Sequence, residues 1–398
     1  MPPRYVDLAI LGGGCAGLSL ARSLAVAQGW QRSTVIIEPR DRYENDRSWC
    51  FWEPTEITLQ QRVAPLIRHR WEHWRFSGEN FSTQQAAAGR QYCYVAAEDF
   101  YRQATATIAT NSYLELWRGH SVIKSESHRN GFLITLADGS SLIAGQVIDT
   151  RPAPATDEQQ AKLWQIFYGY EIKTRHAVFD TNTVGLMEHL TGNATATQFF
   201  YILPFSATHA LVELTHFARN RYAPAELIPA LEHYLKQWGD YSILRREQAA
   251  LPMGLSREIS SSLKDYHYAG TSAGAIRPAT GYAFIRIQQW ATRAAKALID
   301  GRQLPHANTS SLAVSAMDSI FLRVLHDQPA LGAQFFQALA EQVPGSAMVR
   351  FLMDEAGIAD YWHIIRALPA LRFLMYSFGL NRLIYPAEID TPSGSMKS

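Results

Sequence analysis

Gly12, Gly14 and Gly17 stand at the spacing G-x-G-x-x-G, with the acid Glu38 closing the strand beyond them. Glycines so spaced suit a phosphate. Gly12 allows a tight turn, Gly14 lets the backbone approach a pyrophosphate, and Gly17 lets the following helix lie against its strand. The phosphates would sit on the N–H groups of that helix N-terminus, around Cys15 and Ala16, where the dipole favours anions. Glu38 is placed to accept a ribose 2′-OH, and its charge argues against a 2′-phosphate. The chemistry is therefore FAD or NAD binding, with FAD favoured by the N-terminal position; alternatively the glycines form only a structural turn. A second candidate is Glu213 in HALVELTHF, where alternation puts Leu211, Glu213 and Thr215 on one face and Ala210, Val212 and Leu214 on the other. A carboxyl buried there would have a raised pKa; on an exposed edge strand it would be ionised. His209 and His216 flank it as alternatives.

The elements that must position these groups follow from periodicity. Val6 and Leu8 to Leu11 read as a buried strand, Leu18, Leu20, Ala21, Leu24 and Ala25 as a buried helix face, and Val35 to Ile37 as the next parallel strand. The loop after Glu38 carries Trp49, Phe51 and Trp52, which either face the ligand crevice or pack the domain seam. Trp71, Trp74 and Phe76 fall in one amphipathic segment, read as the first strand of a second layer. A helix is expected near Glu98 or Asp99, a hairpin at Asp138 and Gly139, and a buried strand ending on Asp149. Strand-rich alternation from about 163 to 252, interrupted by a helix at 224–238, predicts an antiparallel sheet with one buried face. Then GTSAGAIRPATGY (270–282) gives a glycine-rich loop and a helix expected from Gly281 to Ile299, a second anion-favouring site.

The expected class is α/β: a Rossmann-type FAD-binding domain, an antiparallel-sheet substrate domain and a C-terminal helical region. The expected boundaries are 1–60, 90–155 and 260–302 for the first, 61–89 and 156–259 for the second, and 303–385 for the third, with a disordered tail at 386–398. A chain of 398 residues suits two or three such domains. Its net charge of +1 and the lack of a basic face argue against nucleic acid. Ten Trp, 18 Tyr and 18 Phe suit a long apolar ligand or a membrane-contacting face. Cys15, Cys50 and Cys93 are widely spaced and odd in number, which fits neither a metal site nor a disulfide framework and points to reducing cytosol. No signal peptide is read before the first strand, and no apolar run reaches the roughly 18 residues of a spanning helix. Any membrane contact is expected from one side, through the segments 312–325 and 367–380.

With NDRSWCFWE (45–53), LPFSATHALVELTH (203–216) and GTSAGAIRPATGY in view, nearly the whole chain resembles the lycopene beta-cyclase family, carotenoid-ring-forming flavoproteins of carotenogenic bacteria and plants. The resemblance implies a fold of the glutathione-reductase and hydroxylase kind, and FAD active in its reduced form with NAD(P)H as reductant. It implies an intramolecular lyase or isomerase reaction: lycopene passes through monocyclic gamma-carotene to beta-carotene as linear ends close to beta-ionone rings. It also implies a cytoplasmic enzyme, peripheral to the inner membrane face, that associates with other carotenoid enzymes. A flavin monooxygenase or polyprenyl reductase is the alternative on the same scaffold.

Carried onto this chain, the family motifs mark Gly12, Gly14, Cys15, Ala16, Gly17, Glu38, Gly270, Ala273, Gly274, Pro278, Gly281 and Tyr282 for the cofactor. They mark Trp49, Phe51 and Trp52 for the substrate pocket, and no metal ligand. The implied reaction protonates an alkene, so a desolvated acid is needed, and Glu213 is the candidate. Plant members carry two adjacent acids at the position of Glu213 and Leu214, and the wider class places Asp after the Gly270 strand. This chain has Leu214 at the one place and Thr271 and Ser272 at the other.

Overall fold

The computed structural model describes residues 3–152, 161–255, 261, 263–307, 310–368 and 376. Strand Arg4–Leu11 turns at Gly12 into helix Cys15–Val26 and returns as the parallel strand Thr34–Glu38. Gly12 has φ +99°, which a side chain resists, and a Cβ on Gly17 would stand 2.0 Å from the Gly12 carbonyl oxygen. Both glycines are thus demanded by the turn and by the closeness of the helix. The sheet they begin runs Leu114–Arg118, Thr34–Glu38, Arg4–Leu11, Ser141–Asp149, Gly131–Leu136, Val122–His128, and Tyr266–Tyr268 pairs in parallel with the end of Ser141–Asp149. Leu8, Ile10, Ile36 and Ile148 pack under helices Cys15–Val26, Ala97–Ile108 and Phe284–Ile299. Ala9, Leu11, Val35 and Ile37 face the opposite core, with Phe132 and Ile134 from the antiparallel strands. Burial of each such aliphatic chain contributes about 1.5–3 kcal/mol.

The second sheet runs Tyr241–Leu255, Ala161–Thr174, His209–Ala218, Ala196–Ser206, Thr183–Gly192, His73–Gly78, Ser82–Ala86. Its one parallel pair among the described strands joins Thr183–Gly192 to His73–Gly78. Its central strands are covered on both faces, where the alternation predicts one. The cause is helix Ile228–Leu235, whose Leu231 and Leu235 cover Ala210, Val212 and Leu214, while Leu211 and Phe217 join a core built with the C-terminal helices. A third, small antiparallel sheet joins Ser48–Trp52, Tyr92–Ala96 and His69–Trp71. Trp71 and Trp74, expected in one strand, therefore belong to two sheets. Helices Leu312–Asp327, Gly332–Gln342, Gly345–Leu352 and Ile358–Ala367 follow. Most of the apolar segment 367–380 and all of the tail 386–398 lie outside the described residues. Among the described residues no helix is long and apolar enough to cross a membrane.

Candidate active site

The glycine turn, the Gly270 loop and the inner face of the second sheet enclose a cavity of about 1250 Å³. That exceeds the roughly 300–1000 Å³ of an ordinary small-molecule site. Gly12, Gly14, Cys15, Ala16, Glu38 and Gly270 line one end, and Phe199, Phe217, Met317, Phe336 and Phe351 line the other. Trp49, Gly281, Tyr282 and Glu213 also face the cavity.

Other expected residues lie elsewhere. Gly17 packs against the turn, and Ala273 sits in the helix-side core. Gly274 and Pro278 line a separate cavity of about 170 Å³, because Thr271–Ala273 form a 3₁₀ turn that carries the chain away and leaves Thr271 facing the main cavity. Phe51 and Trp52 are absent from the cavity wall: their segment is a strand, so Phe51 stacks on Phe284 in one core and Trp52 meets Trp74 and Tyr92 in another. The helix expected from Gly281 begins at Phe284, since Gly281 holds φ +75° under Gln165.

The polar end fits a dinucleotide. Helix Cys15–Val26 has Gly14 at its N-cap with no side-chain bond there, so its first N–H groups are open to the cavity, and nothing lies within 4 Å of where a Gly14 Cβ would be. Helix Phe284–Ile299 likewise lacks a side-chain cap, and Gly281 to Phe284 border the same space. Two such helix ends facing one cavity attract anions. Glu38, 3 % exposed, accepts the Gly13 N–H at 2.8 Å, the Arg40 N–H at 3.0 Å and Arg40 Nε at 2.7 Å, with Arg40 Nη2 at 3.4 Å, so a ribose hydroxyl would share it with Arg40. Cys15, although at a helix N-terminus, is pushed up to about 12 by burial and stays a thiol.

The apolar end is built around Glu213, which is 7 % exposed. Burial, then the nearby Glu247 carboxylate, push its pKa well above the ordinary value, against the pull of Arg245. No hydrogen bond from a described residue contributes to its ionisation balance. Leu214 faces the opposite core, so an acid there could not reach this cavity. Beside Glu213, Tyr92 bonds Tyr201 at 2.9 Å and Tyr282 at 3.1 Å, all three hydroxyls held neutral by burial.

His209 and His216 line neither end of the cavity. His209 bonds Glu171 at 2.8 Å, while His216 bonds the Tyr222 hydroxyl at 2.5 Å and is depressed to about 4 by burial. Cavity residues that sequence reasoning missed include Arg40, Thr150, Arg151 and Glu247. Thr150 and Arg151 follow a buried parallel strand, and that position was the signal available. Among the described residues no group of acids, histidines and cysteines could hold a metal ion.

A parallel sheet, a glycine turn into an open helix end and a second antiparallel sheet define a mixed α/β protein with a Rossmann-type dinucleotide-binding core. Solved structures share this fold over almost their whole length. A geranylgeranyl bacteriochlorophyll reductase-like protein of Thermoplasma acidophilum superposes with TM-score 0.65 at 13% identity, covering 96% of this chain and 99% of its own. A flavoprotein/dehydrogenase of Cytophaga hutchinsonii gives TM-score 0.61 at 12% identity over 95% and 100%. The p-nitrophenol 4-monooxygenase of Pseudomonas putida gives TM-score 0.59 at 15% identity over 93% and 98%.

Within that class, residues 7–376 match the family model described as "Lycopene cyclase protein", and the chain belongs to this family. It is similar to the lycopene beta-cyclase of Pseudescherichia vulneris, 29% identical over 69% of this chain and 70% of that protein. The lycopene beta-cyclase of Pantoea ananas is 26% identical over 71% and 72%.

Proposed function

We propose that this protein is a lycopene beta-cyclase that closes the linear ends of lycopene by acid catalysis with no net redox change. The observation that carries this reading is Glu213: a buried carboxyl with raised pKa in the apolar wall of a cavity whose other end is a nucleotide cradle.

An alkene is a very weak base, so its proton must come from a neutral acid in a dry site. Glu213 holds that proton against the terminal isopropylidene group and releases it to C2. The C5=C6 bond then attacks the C1 cation, and C6 gives up a proton to the Glu213 carboxylate, which completes the beta ring and restores the acid. Phe199, Phe217 and Phe336 keep water from the cation. Trp49, stacked at 5.3 Å on Phe284 at the cavity wall, is placed to add a cation–π contribution of about 1–2 kcal/mol.

Gly12, Gly14, Ala16, Glu38 and Gly270 would hold FAD, with the end of helix Phe284–Ile299 toward the ring system. When bound and reduced by NAD(P)H, the flavin supplies negative charge around N1 and C2=O, which favours the ring cation.

The protein would work as a cytoplasmic enzyme at a membrane surface, because a C40 hydrocarbon is insoluble in water. Ile358, Trp362 and Ile365 fall on one stripe of helix Ile358–Ala367 and are 90%, 62% and 50% exposed. Ile365 also lines the cavity, so this stripe borders the way in. The neighbouring folds of reductase and monooxygenase type keep an oxidative reading open. Anaerobic incubation of flavin-loaded protein with lycopene and NAD(P)H decides: beta rings formed in large excess over NAD(P)H oxidised support the cyclase. One NAD(P)H oxidised per product, or a requirement for oxygen, contradicts it.

A further inference from the structure

The edge strand of the second sheet brings another acid to the same cavity. Strand Ala161–Thr174 lies between the other two, and its Gly169 is opposite both Glu213 and Glu247. Residues in register share a face of the sheet, so both carboxyls rise on the cavity side, with backbones two strand spacings, about 10 Å, apart. Both line the cavity. Between them Gly169 carries no side chain, and a Cβ there would stand 2.5 Å from Glu213 Cγ. Glu213 therefore leans over Gly169, into the space that separates it from Glu247.

The two acids have opposite surroundings. Glu247, 4 % exposed, accepts the Ser48 N–H at 2.7 Å, the Ser48 hydroxyl at 2.6 Å and Arg245 Nη1 at 2.8 Å. Arg245 is oriented from its other side by Glu171 at 2.8 Å. Three donors, one of them cationic, satisfy a buried carboxylate. Two like charges over one glycine oppose each other, and it is Glu213, the acid without donors, whose protonated form this favours. Of the other titratable groups around Glu213, Cys50 and Tyr201 are pushed up by burial and stay neutral.

Resting on the cyclase reading above, we propose that Glu247 is the positioning partner of Glu213: a fixed negative charge that keeps the Glu213 proton in place until the polyene takes it. When the Glu213 O–H bond breaks and the C2–H bond forms, the new carboxylate stands beside Glu247. That makes it a stronger base for regaining a proton.

Glu247→Gln tests this in the flavin-loaded enzyme. Cyclisation falls as rising pH ionises Glu213, and this limb should move down by about one pH unit, a tenfold change in the protonated fraction. Glu247→Asp, which keeps the charge, should leave the limb near its wild-type place. Infrared difference titration reads the same proton without turnover, through the carbonyl stretch that Glu213→Gln lacks. The Arg245→Gln/Glu247→Gln double variant removes both charges at once and guards against a single variant that does not fold. It should move the titration in the same direction by less. An infrared titration of Glu213 that is unmoved in both Glu247→Gln and the double variant overturns the proposal. A protein that shows the shift yet never forms a ring from lycopene sinks the reaction and leaves the carboxyl pair standing.

Discussion

Glu38 and Glu213 are both buried acids on the wall of one cavity, and their surroundings are opposite. Glu38 closes a parallel strand and is met by a backbone N–H and a guanidinium, so its charge is matched within the protein. Glu213 sits mid-strand among apolar neighbours with the Glu247 carboxyl across Gly169 and, among the described residues, no hydrogen bond holding its charge. The same side chain is thus surrounded by donors at one end and left without them at the other, as the proposed ribose and proton-donor roles require. What differs is the supply of donors, far more than the depth of burial.

Changes at the two ends should separate the two jobs. At the nucleotide end, Gly17→Val drives a side chain into the Gly12 carbonyl, and the purified protein should carry no flavin absorbance. Flavin retained at the wild-type level would show that the turn is not the cradle. At the apolar end, Glu213→Asp should keep its flavin and lose about a hundredfold in rate, because its proton is misplaced by about 1 Å. Gly169→Ala should be milder, about tenfold by the same displacement logic, since Glu213 must swing aside from the new methyl. Flavin fluorescence should be unchanged in both, and loss of flavin in either would blur the division of labour.

Stability against pH sharpens the contrast among the carboxyls of the second sheet. Burial opposes the charge of Glu171, yet hydrogen bonds from His209 and Arg245 hold it at about 2, below the ordinary 4.5. Its stabilising contribution is complete above pH 4.5 and is lost as pH falls toward 2. Glu213 has the reverse sign: its raised pKa contributes stability below 4.5, and that contribution fades as pH rises through the folded value. Thermal melts should therefore show Glu171→Gln less stable than wild type at pH 7, with the gap closing in acid. Glu213→Gln should gain on wild type as pH rises from 5 to 9. The smallest effect is expected at the membrane face, where Trp362→Glu should weaken co-sedimentation with lipid vesicles.

The glycine turn and its flanking elements were legible in the sequence because their signals are local. Gly12, Gly14 and Gly17 lie within one turn, and the strand that ends on Glu38 is the next element. The face of Glu213 was legible too, from alternation alone. What escaped depends on pairing between distant segments. Phe51 and Trp52 read either as crevice residues or as packing at the domain seam, and the choice is made by their segment pairing with Tyr92–Ala96, which turns both rings into cores. Glu247 sits in a run of four polar residues, Arg245 to Gln248, as on a solvated edge strand, and the contact that buries it comes from Ser48, 199 positions earlier in the chain. Gly274 and Pro278 belong to a conspicuous motif, yet the 3₁₀ turn after Gly270 sends them to the far side of the loop.

The central claim is that Glu213 donates the proton that starts ring closure, and isotope labelling tests it directly. In deuterated water the wild-type enzyme should place one deuterium at C2 of each new ring. Glu213→Gln, which keeps the volume and apolar contacts, should still hold FAD and bind lycopene while forming rings about 10²–10⁴-fold more slowly. A Glu213→Gln enzyme that cyclises at near the wild-type rate, with the same deuterium at C2, would contradict the account.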